Sequence, residues 1–200
     1  MILSKYFPTI IGTAINSNHK IIRDDIIKKC YNLKNNVPSG GDNWISNSTY
    51  NTIGKHDIFS DPLFLSINDF VVQEVKEYCK LLNIKEDFID YKPNDSWFNI
   101  YNKGDYQEYH HHANSVLSVV YFLKTSKNPA KIYFKNPHVD MRPPLYNQYT
   151  PDTFERIYFE PIEGMMLIFR SHLEHSVEKQ IDEEDRISIA YNFRSDNART

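Results

Sequence analysis

The chain has 200 residues, 23 basic and 26 acidic, with a formal net charge of −3. This length suits one domain with a sizeable core, and the charge balance leaves no broad basic surface, which disfavours a general nucleic-acid binder. No apolar run has transmembrane length, and the start lacks the basic and apolar segments of a secretion signal. We therefore expect a soluble cytoplasmic protein that has neither membrane nor nucleic acid as a partner.

The N-terminal part of the chain predicts a strand, a helix and a loop. Apolar residues around Pro8 indicate an extended strand over 6–14. Isoleucines, a cysteine and a leucine then recur at helical spacing, which predicts an amphipathic helix over about 20–34. The polar segment 35–50 predicts a loop, with a short strand around Trp44.

A second amphipathic helix follows. The sequence from Ser66 to Asp69 resembles a capping box and precedes apolar residues at helical spacing, so this helix should end near Asn83. Both helices should cover faces of a sheet. The two cysteines, Cys30 and Cys79, lie in these helices and are expected to be buried thiols rather than a disulfide.

From residue 87 onward the pattern changes to short strands separated by turns. Many short strands of this kind favour a β-sandwich or an open barrel. The proline-rich segment 140–151 predicts a long loop, and we interpret it as a candidate lid. The expected strands are 96–101, 106–112, 116–123, 131–134, 165–169, 176–177 and 187–193.

The predicted fold class is therefore mainly β with N-terminal helices, in the α+β class. We expect one domain over 1–200, with helical support over about 15–85 and a β core over about 87–194.

Three consecutive histidines, 110–112, precede the apolar strand 116–123. Successive side chains of a strand point to opposite faces, so His110 and His112 should share a face and His111 should point away. A slip of one residue would exchange these faces. Two imidazoles on one face can bind a single metal ion; the alternative is an exposed polar loop that happens to contain histidines.

A third ligand is expected from the C-terminal part of the chain. His175 follows the predicted strand 165–169, and His172 in the same turn is its competitor. Two ligands from one strand and one from a distant strand make the facial arrangement of mononuclear non-haem iron, which leaves positions open for other molecules. Imidazole also suits zinc, copper and nickel, so the ligand type leaves the metal open.

Arg186 begins the last predicted strand, and alternation places it on one face with Ser188 and Ala190. A buried arginine is costly unless an anion meets it, and its planar fork matches a carboxylate. Together with the histidines this indicates a dicarboxylate co-substrate, with one end on the metal and the other on Arg186. The alternative is a salt bridge at the rim with Glu184 or Asp185.

This order of residues, H-x-H, then H, then R-x-S, resembles the iron(II)- and 2-oxoglutarate-dependent dioxygenases. The resemblance covers about residues 6–192 and is strongest to the 2-oxoglutarate oxygenases of bacteria and phages that are related to prolyl hydroxylases. The segments that carry it are Trp97–Asn99, Gly104–Tyr106, His110–Ser118, Tyr133–Pro137, Glu163–Gly164, His175 and Arg186–Ser188.

The resemblance implies a double-stranded β-helix of the jelly-roll or cupin-like kind. It implies Fe(II) as the metal, 2-oxoglutarate as co-substrate and ascorbate as an accessory reductant. The reaction would hydroxylate a C–H bond, with succinate and CO2 as co-products. The expected substrate is a small molecule or a peptide, with a prolyl, peptidyl or amino-acid group as the first choice. A bacterial or phage-infected cell is the expected setting, and the resemblance allows a homodimer.

The sequence departs from the wider superfamily at two positions. His112 stands where an aspartate or glutamate ligand is usual. Phe122 stands where related prolyl hydroxylases often have a tyrosine that helps to hold 2-oxoglutarate, and Tyr121, Asn99 or Tyr101 could take that role.

Two further residues are candidates for contacts with substrate. His138 follows an Asn-Pro pair, and Tyr146 lies near Tyr149 in the proline-rich loop; an exposed loop position is the plainer interpretation of each. Two other functions remain open for the whole chain. One is a cupin-like enzyme with a three-histidine metal site that does not use 2-oxoglutarate, and the other is a non-catalytic β-sandwich binding module.

Overall fold

The computed structural model describes residues 2, 7–41, 44–46, 48–85, 87–93, 95–138 and 144–195. Within them, two helices and a short 3₁₀ turn precede most of the strands. The elements are β1 Ile11–Ile15, α1 His19–Asn36, β2 Tyr50–Asn51, the 3₁₀ turn Pro62–Phe64, α2 Leu65–Leu81, β3 Asp95–Tyr101, β4 Gln107–His110, β5 Leu117–Lys124, β6 Ile132–Lys135, β7 Arg156–Phe159, β8 Met165–Arg170, β9 His175–Val177 and β10 Arg186–Phe193.

The strands form two antiparallel sheets. The larger sheet has the order β1-β8-β5-β10-β3-β2, and the smaller one has the order β4-β9-β6-β7. From β3 onward, consecutive strands lie in different sheets except for the β6–β7 pair. Two packed antiparallel sheets connected in this way make a jelly roll. The prediction of a mainly β, double-stranded β-helix with N-terminal helices is confirmed.

Both helices pack on one face of the larger sheet, rather than on different faces. Ile26 and Cys30 of α1 and Val71 of α2 lie in one core cluster with Ile189 and Tyr191 of β10. A smaller cluster fills the space between the sheets, where Phe122, Phe134 and Phe169 meet. The alternation of β10 therefore sends its odd-numbered side chains to the helices and its even-numbered ones into the space between the sheets.

The two cysteines, Cys30 and Cys79, are buried free thiols, as predicted. In the described part of the chain, neither helix combines the length and the apolar character that a membrane crossing requires.

Two predictions for the N-terminal part are wrong. The predicted strand over 6–14 is observed only from Ile11, where pairing with β8 begins; residues 7–10 lie in no strand, and residue 6 lies outside the described residues. Trp44 lies in no strand. The short strand of this region is β2, whose Tyr50 pairs with Ile100 of β3, because the chain forms ladder hydrogen bonds only where it reaches the sheet.

The predicted capping box is also wrong. Helix α2 begins at Leu65, directly after the 3₁₀ turn, so Ser66 already lies inside the helix. The capping side chain is Asp61, whose Oδ1 accepts a hydrogen bond from the Leu63 N–H at 3.0 Å. The 3₁₀ turn supplies the start of α2, and no side chain at 66 is needed as a cap. The candidate lid lies partly outside the described residues, at 139–143, and residues 144–151 form neither helix nor strand.

Candidate metal centre

Three histidines converge at one end of the space between the sheets. His110 ends β4 and His175 begins β9, and the two residues are direct partners in the antiparallel register. His112 follows two residues after His110. One ring nitrogen from each histidine lies within 4.8 Å of the other two, which is close enough for one ion to touch all three. The ring centroids are 4.2 Å apart for His110 and His175, and 5.2 Å for each pair that includes His112.

The neighbouring histidines do not join this group. His111 is exposed, as predicted, although the predicted strand over 106–112 is observed only over Gln107–His110, so that His111 and His112 lie beyond its end. His172, the competitor of His175, is also exposed and lines a separate surface groove with Arg170. The turn after β8 therefore sends His172 to the surface, and β9 carries His175 inward.

Two of the three rings are oriented by backbone carbonyls. The Nδ1 of His110 lies 2.8 Å from the carbonyl oxygen of Glu108, and the Nδ1 of His175 lies 2.9 Å from that of Leu173. A carbonyl can only accept a hydrogen bond, so each Nδ1 carries the proton and donates it. The Nε2 of each ring then keeps its lone pair for a metal.

All three histidines are held in the neutral form that binds metals. Burial lowers the pKa of His110 below its usual value. Burial, followed by repulsion from His110 and His111, lowers the pKa of His112 to about 4. Burial lowers the pKa of His175 well below its usual value. Three convergent, neutral imidazoles fit a divalent transition metal.

Aromatic side chains hold these rings in place. Trp44 meets His110 edge-on at 5.0 Å between centroids, and Trp97 lies 5.9 Å from His112. Phe134 stacks on His175 at 5.8 Å. The sequence does not predict the contact of Trp44 with His110, because no spacing pattern links a loop residue to a strand that follows more than sixty residues later.

Segment 44–46 is fixed to β4 by Glu108. The Glu108 carboxylate accepts hydrogen bonds from the Ile45 N–H at 2.8 Å and from the Ser46 hydroxyl at 2.6 Å. One residue thus orients the His110 ring through its carbonyl and secures the segment that bears Trp44 through its side chain.

Arg186 lies in the same cavity as the histidines and is fully buried. Its guanidinium carbon is 4.7 Å from the centroid of the Tyr101 ring and 5.4 Å from that of Phe122. None of its three guanidinium nitrogens has a hydrogen-bond partner among the described residues. Burial lowers the pKa of Arg186, and the Tyr101 hydroxyl group opposes that effect.

The alternative of a rim salt bridge is wrong. Glu184 pairs with Lys124 at 3.6 Å, and Asp185 accepts a hydrogen bond from the Tyr31 hydroxyl at 3.0 Å. Arg186 points inward instead, and an unpaired buried guanidinium is a site for an anion.

The cavity measures about 250 Å³. It brings together the predicted metal ligands and most of the residues predicted to hold a co-substrate. Ser188 is 3 % exposed, and Asn99 is its direct partner across the β10–β3 pair. The predicted site residues that line the cavity are His110, His112, His175, Arg186, Ser188 and Asn99.

Tyr121 lies elsewhere, and its predicted role is corrected. Its side chain points to the helix side of β5, where its hydroxyl lies 2.7 Å from Nδ1 of His19. Phe122, the next residue, takes the cavity side. Tyr101 on β3 is the tyrosine that adjoins Arg186, and burial raises the pKa of its hydroxyl, so it remains neutral.

The two predicted substrate residues also lie away from this cavity. His138 is exposed and lines surface grooves with Phe7 and Pro8. Tyr146 packs against Tyr149 at 5.7 Å between ring centroids and is not among the residues that line the cavity. In this conformation neither side chain reaches the histidines, because each sits on a loop outside the two sheets.

Comparison with known families gives a match over the β core. Residues 95–192 match the family described as "Putative 2OG-Fe(II) oxygenase". The matched range contains the three histidines, Arg186 and Ser188, so it confirms the resemblance drawn from these motifs. A comparison with curated protein sequences finds no match.

Solved structures of low sequence identity share the fold. A prolyl-4-hydroxylase from Pseudomonas putida is 13% identical, with 93% of each chain covered and a TM-score of 0.66. The viral collagen prolyl hydroxylase vCPH from Paramecium Bursaria Chlorella virus-1, in its 2OG complex, is 13% identical, with 92% of this chain and 94% of that chain covered and a TM-score of 0.55. HygX from Streptomyces hygroscopicus, with nickel, 2-oxoglutarate and hygromycin B bound, is 11% identical, with 94% and 84% covered and a TM-score of 0.57.

Proposed function

We propose that this chain is a member of the 2OG-Fe(II) oxygenase family, which its residues 95–192 match, and that it hydroxylates a C–H bond of a peptide or small-molecule substrate. His110, His112 and His175 would hold Fe(II), and Arg186 would bind the distal carboxylate of 2-oxoglutarate. The observation that carries the proposal is the buried guanidinium without an acceptor in the same cavity as three convergent imidazoles.

Each cavity residue has a defined task in this proposal. The Arg186 guanidinium would donate two parallel hydrogen bonds to a carboxylate, and the rings of Tyr101 and Phe122 would keep the guanidinium from turning away. The Ser188 hydroxyl and the Asn99 amide offer further donors on the same wall. When bound, iron and 2-oxoglutarate would supply the oxidising chemistry, in which dioxygen is the oxidant: one of its oxygen atoms enters succinate as the co-substrate loses CO2, and the other is inserted into the substrate C–H bond.

The apolar walls exclude water from the reacting centre. Phe169 and Ile132 line the inner end of the cavity, and Trp44 and Trp97 lie beside the histidines. Arg186 is the one arginine or lysine among the described lining residues. Once it is paired with a co-substrate, no arginine or lysine among the described lining residues remains for an anionic substrate, and the lining residue Asp95 would repel one.

A prolyl, peptidyl or amino-acid substrate is our first choice. The support is the fold shared with solved prolyl hydroxylases, one of which was solved in complex with a peptide fragment. Hydroxylation of a panel of proline-containing peptides, followed by mass spectrometry for the gain of one oxygen atom, tests this choice against antibiotic-like small molecules.

The alternative is a three-histidine metalloenzyme that does not use 2-oxoglutarate. Histidine in place of the usual carboxylate at position 112 favours it. The two functions differ in what Arg186 binds. Under the proposal it binds the co-substrate, and under the alternative it would bind the carboxylate of the substrate itself.

The test is anaerobic reconstitution with Fe(II), followed by titration with 2-oxoglutarate and then by aerobic assay of succinate with ascorbate present as reductant. The proposal expects an absorption band from the iron and 2-oxoglutarate complex, and slow succinate release without substrate. Arg186→Ala should abolish both. Arg156→Ala is the matched control, because Arg156 also lies over a tyrosine ring, that of Tyr133 at 5.3 Å, but on the exposed edge strand β7. Iron binding without any 2-oxoglutarate binding would instead favour the alternative.

A further inference from the structure

The three candidate ligands differ in what holds their second ring nitrogen. His110 and His175 have carbonyl partners, whereas the Nδ1 of His112 lies 3.3 Å from the amide nitrogen of Asn192. A carbonyl fixes one tautomer, but an asparagine amide presents a donor at one end and an acceptor at the other. His112 is therefore the ligand whose tautomer depends on how a neighbouring side chain is turned.

The Asn192 amide belongs to a buried chain of hydrogen bonds that links three strands. Its Oδ1 accepts from the Ser118 hydroxyl at 2.8 Å, and the Ser118 oxygen lies 2.9 Å from the Ser171 hydroxyl. These three side chains are between 0% and 5% exposed. The backbone closes the loop, because the His112 N–H donates to the Ser171 carbonyl at 2.9 Å.

Each direction of this chain places one donor and one acceptor at each of its three contacts. With the Asn192 nitrogen toward His112, the amide donates to Nδ1, and the proton of the neutral ring sits on Nε2. With the amide turned over, its oxygen accepts from a protonated Nδ1, its nitrogen donates to Ser118, and Ser118 donates to Ser171. Hydroxyl groups serve in both directions because each is a donor and an acceptor.

Only the second direction leaves the Nε2 lone pair of His112 free. Going from the first to the second, a proton leaves Nε2 and a proton arrives at Nδ1, so the ring stays neutral. A ligand nitrogen that already carries a proton cannot coordinate, since metals bind the unprotonated imidazole nitrogen. The orientation of a buried amide is thus coupled to the ability of the third histidine to bind a metal.

We propose that Asn192 is a positioning residue that, backed by Ser118 and Ser171, selects the metal-binding tautomer of His112 and turns over when the metal binds. The inference rests on the metal role proposed for the three histidines. Asn192 lies on the same side of β10 as Arg186 and Ser188. One face of this strand would therefore bind the co-substrate and also position a metal ligand.

Partners of ligating histidines commonly change metal affinity roughly 10- to 100-fold when they are removed. An amide oxygen that accepts from Nδ1 makes the ring a better donor to the metal. This matters most at His112, because this histidine stands where a carboxylate ligand would usually bring a negative charge to the site. An aspartate at 192 would accept the same hydrogen bond and add that charge.

The test uses zinc(II) alone as a diamagnetic probe, without 2-oxoglutarate. Zinc affinity is measured by chelator competition for the wild type, Asn192→Leu, Asn192→Asp and Ser118→Ala. We expect Asn192→Leu to bind roughly 10- to 100-fold more weakly. Asn192→Asp should bind zinc at least as tightly as the wild type. The zinc affinity of Ser118→Ala should lie between those of Asn192→Leu and the wild type.

A second readout follows the tautomer directly. Nitrogen-15 chemical shifts of labelled histidine in the wild type should show Nδ1 of His112 becoming the protonated nitrogen on zinc binding, while His110 and His175 keep Nδ1 protonated throughout. A loss of packing alone would not produce this change.

The control for general destabilisation is Tyr191→Phe. Tyr191 adjoins Asn192 but points to the helices, where its hydroxyl donates to Asn68 at 2.8 Å. This variant should lose stability and keep zinc affinity. Wild-type zinc affinity in a folded Asn192→Leu protein would overturn the inference, and so would a His112 tautomer that zinc leaves unchanged. If Asn192→Leu does not fold, the Ser118→Ala affinity and the wild-type shifts decide. Failure of the wild type to bind any metal would overturn the proposed function as well.

Discussion

Arg186 is stacked on Tyr101, with its guanidinium carbon 4.7 Å from the ring centroid, and has no acceptor for any of its N–H groups among the described residues. A cation over an aromatic face gains roughly 0.5–2 kcal/mol. That is less than the cost of burying an unpaired charge. The ligand-free protein therefore carries a group that lowers its stability, and a bound carboxylate would remove that cost.

Arg186→Met should separate stability from ligand binding. The apolar side chain of similar length removes the buried charge, so the melting temperature without ligand should equal or exceed that of the wild type. The shift that 2-oxoglutarate causes in the metal-loaded wild type should disappear, because a ligand stabilises only the folded state that binds it. Differential scanning fluorimetry measures both quantities. Arg156→Met on the exposed strand β7 should keep the full shift, and a full shift in Arg186→Met would contradict the assignment.

The tyrosine that assists Arg186 can be identified by a matched pair of variants. Tyr101→Phe removes a hydroxyl next to Arg186, and Tyr121→Phe removes one that is bonded to His19 on the other side of the larger sheet. We expect Tyr101→Phe to weaken 2-oxoglutarate binding roughly 2- to 10-fold, which corresponds to the loss of one hydrogen bond from the Tyr101 hydroxyl to the bound carboxylate. Tyr121→Phe should lower the free energy of unfolding and leave the affinity unchanged. Isothermal titration calorimetry of the anaerobic iron complex with 2-oxoglutarate distinguishes the two variants. A loss of affinity in Tyr121→Phe and none in Tyr101→Phe would support the predicted role of Tyr121 in holding the co-substrate.

The positions of Arg186 and Ser188 on one face could be predicted because alternation within one strand depends only on local geometry. The same rule explains the error at Tyr121. Adjacent residues of a strand point to opposite faces, so Phe122 on the cavity side excludes Tyr121 from it. The alternation of side chains along β5 was the sequence signal that would have placed Tyr121 on the face opposite to the cavity.

Contacts between distant segments were beyond prediction. The meeting of His110 with His175 depends on the register of β4 against β9, which includes an irregularity, although the chemistry of histidine made the contact a reasonable hypothesis. Trp44 and Asn192 had no such chemical signal. Their roles follow from where a loop and a strand end come to lie in the fold, and sequence spacing does not encode that position.

Gly164→Ala should loosen the junction between α1 and the larger sheet. Gly164 has a φ of +81°, and an added Cβ would lie 2.8 Å from the Cβ of His19. Strain and contact together should reduce the free energy of unfolding by roughly 1–3 kcal/mol. Gly54→Ala separates the two causes, since Gly54 has a φ of +64° and open space around it. Urea denaturation should show the larger loss at Gly164, and equal losses would mean that His19 moves aside freely.

Glu108 should make the segment with Trp44 sensitive to acid. Burial alone would raise the pKa of Glu108, but hydrogen bonds from Ser46 and from the Ile45 N–H lower it overall below the usual 4.5. A carboxylate with a lowered folded-state pKa contributes stability above its unfolded pKa, and that contribution is lost as the pH falls through the folded value. The attachment of segment 44–46 should therefore persist at neutral pH and weaken only at pH values below 4.5.

Hydrogen exchange at the Ile45 and Ser46 amides, corrected for intrinsic rates, measures this attachment. In Glu108→Gln these amides should exchange faster than in the wild type at neutral pH, because a neutral amide is a weaker acceptor than a carboxylate. The difference should shrink on acidification as the wild-type carboxyl group takes up its proton. Glu77→Gln, in an exposed helical pair with Lys80, is the control and should leave both amides unchanged. A difference that stays constant with pH would show that the Glu108 charge does not hold the segment.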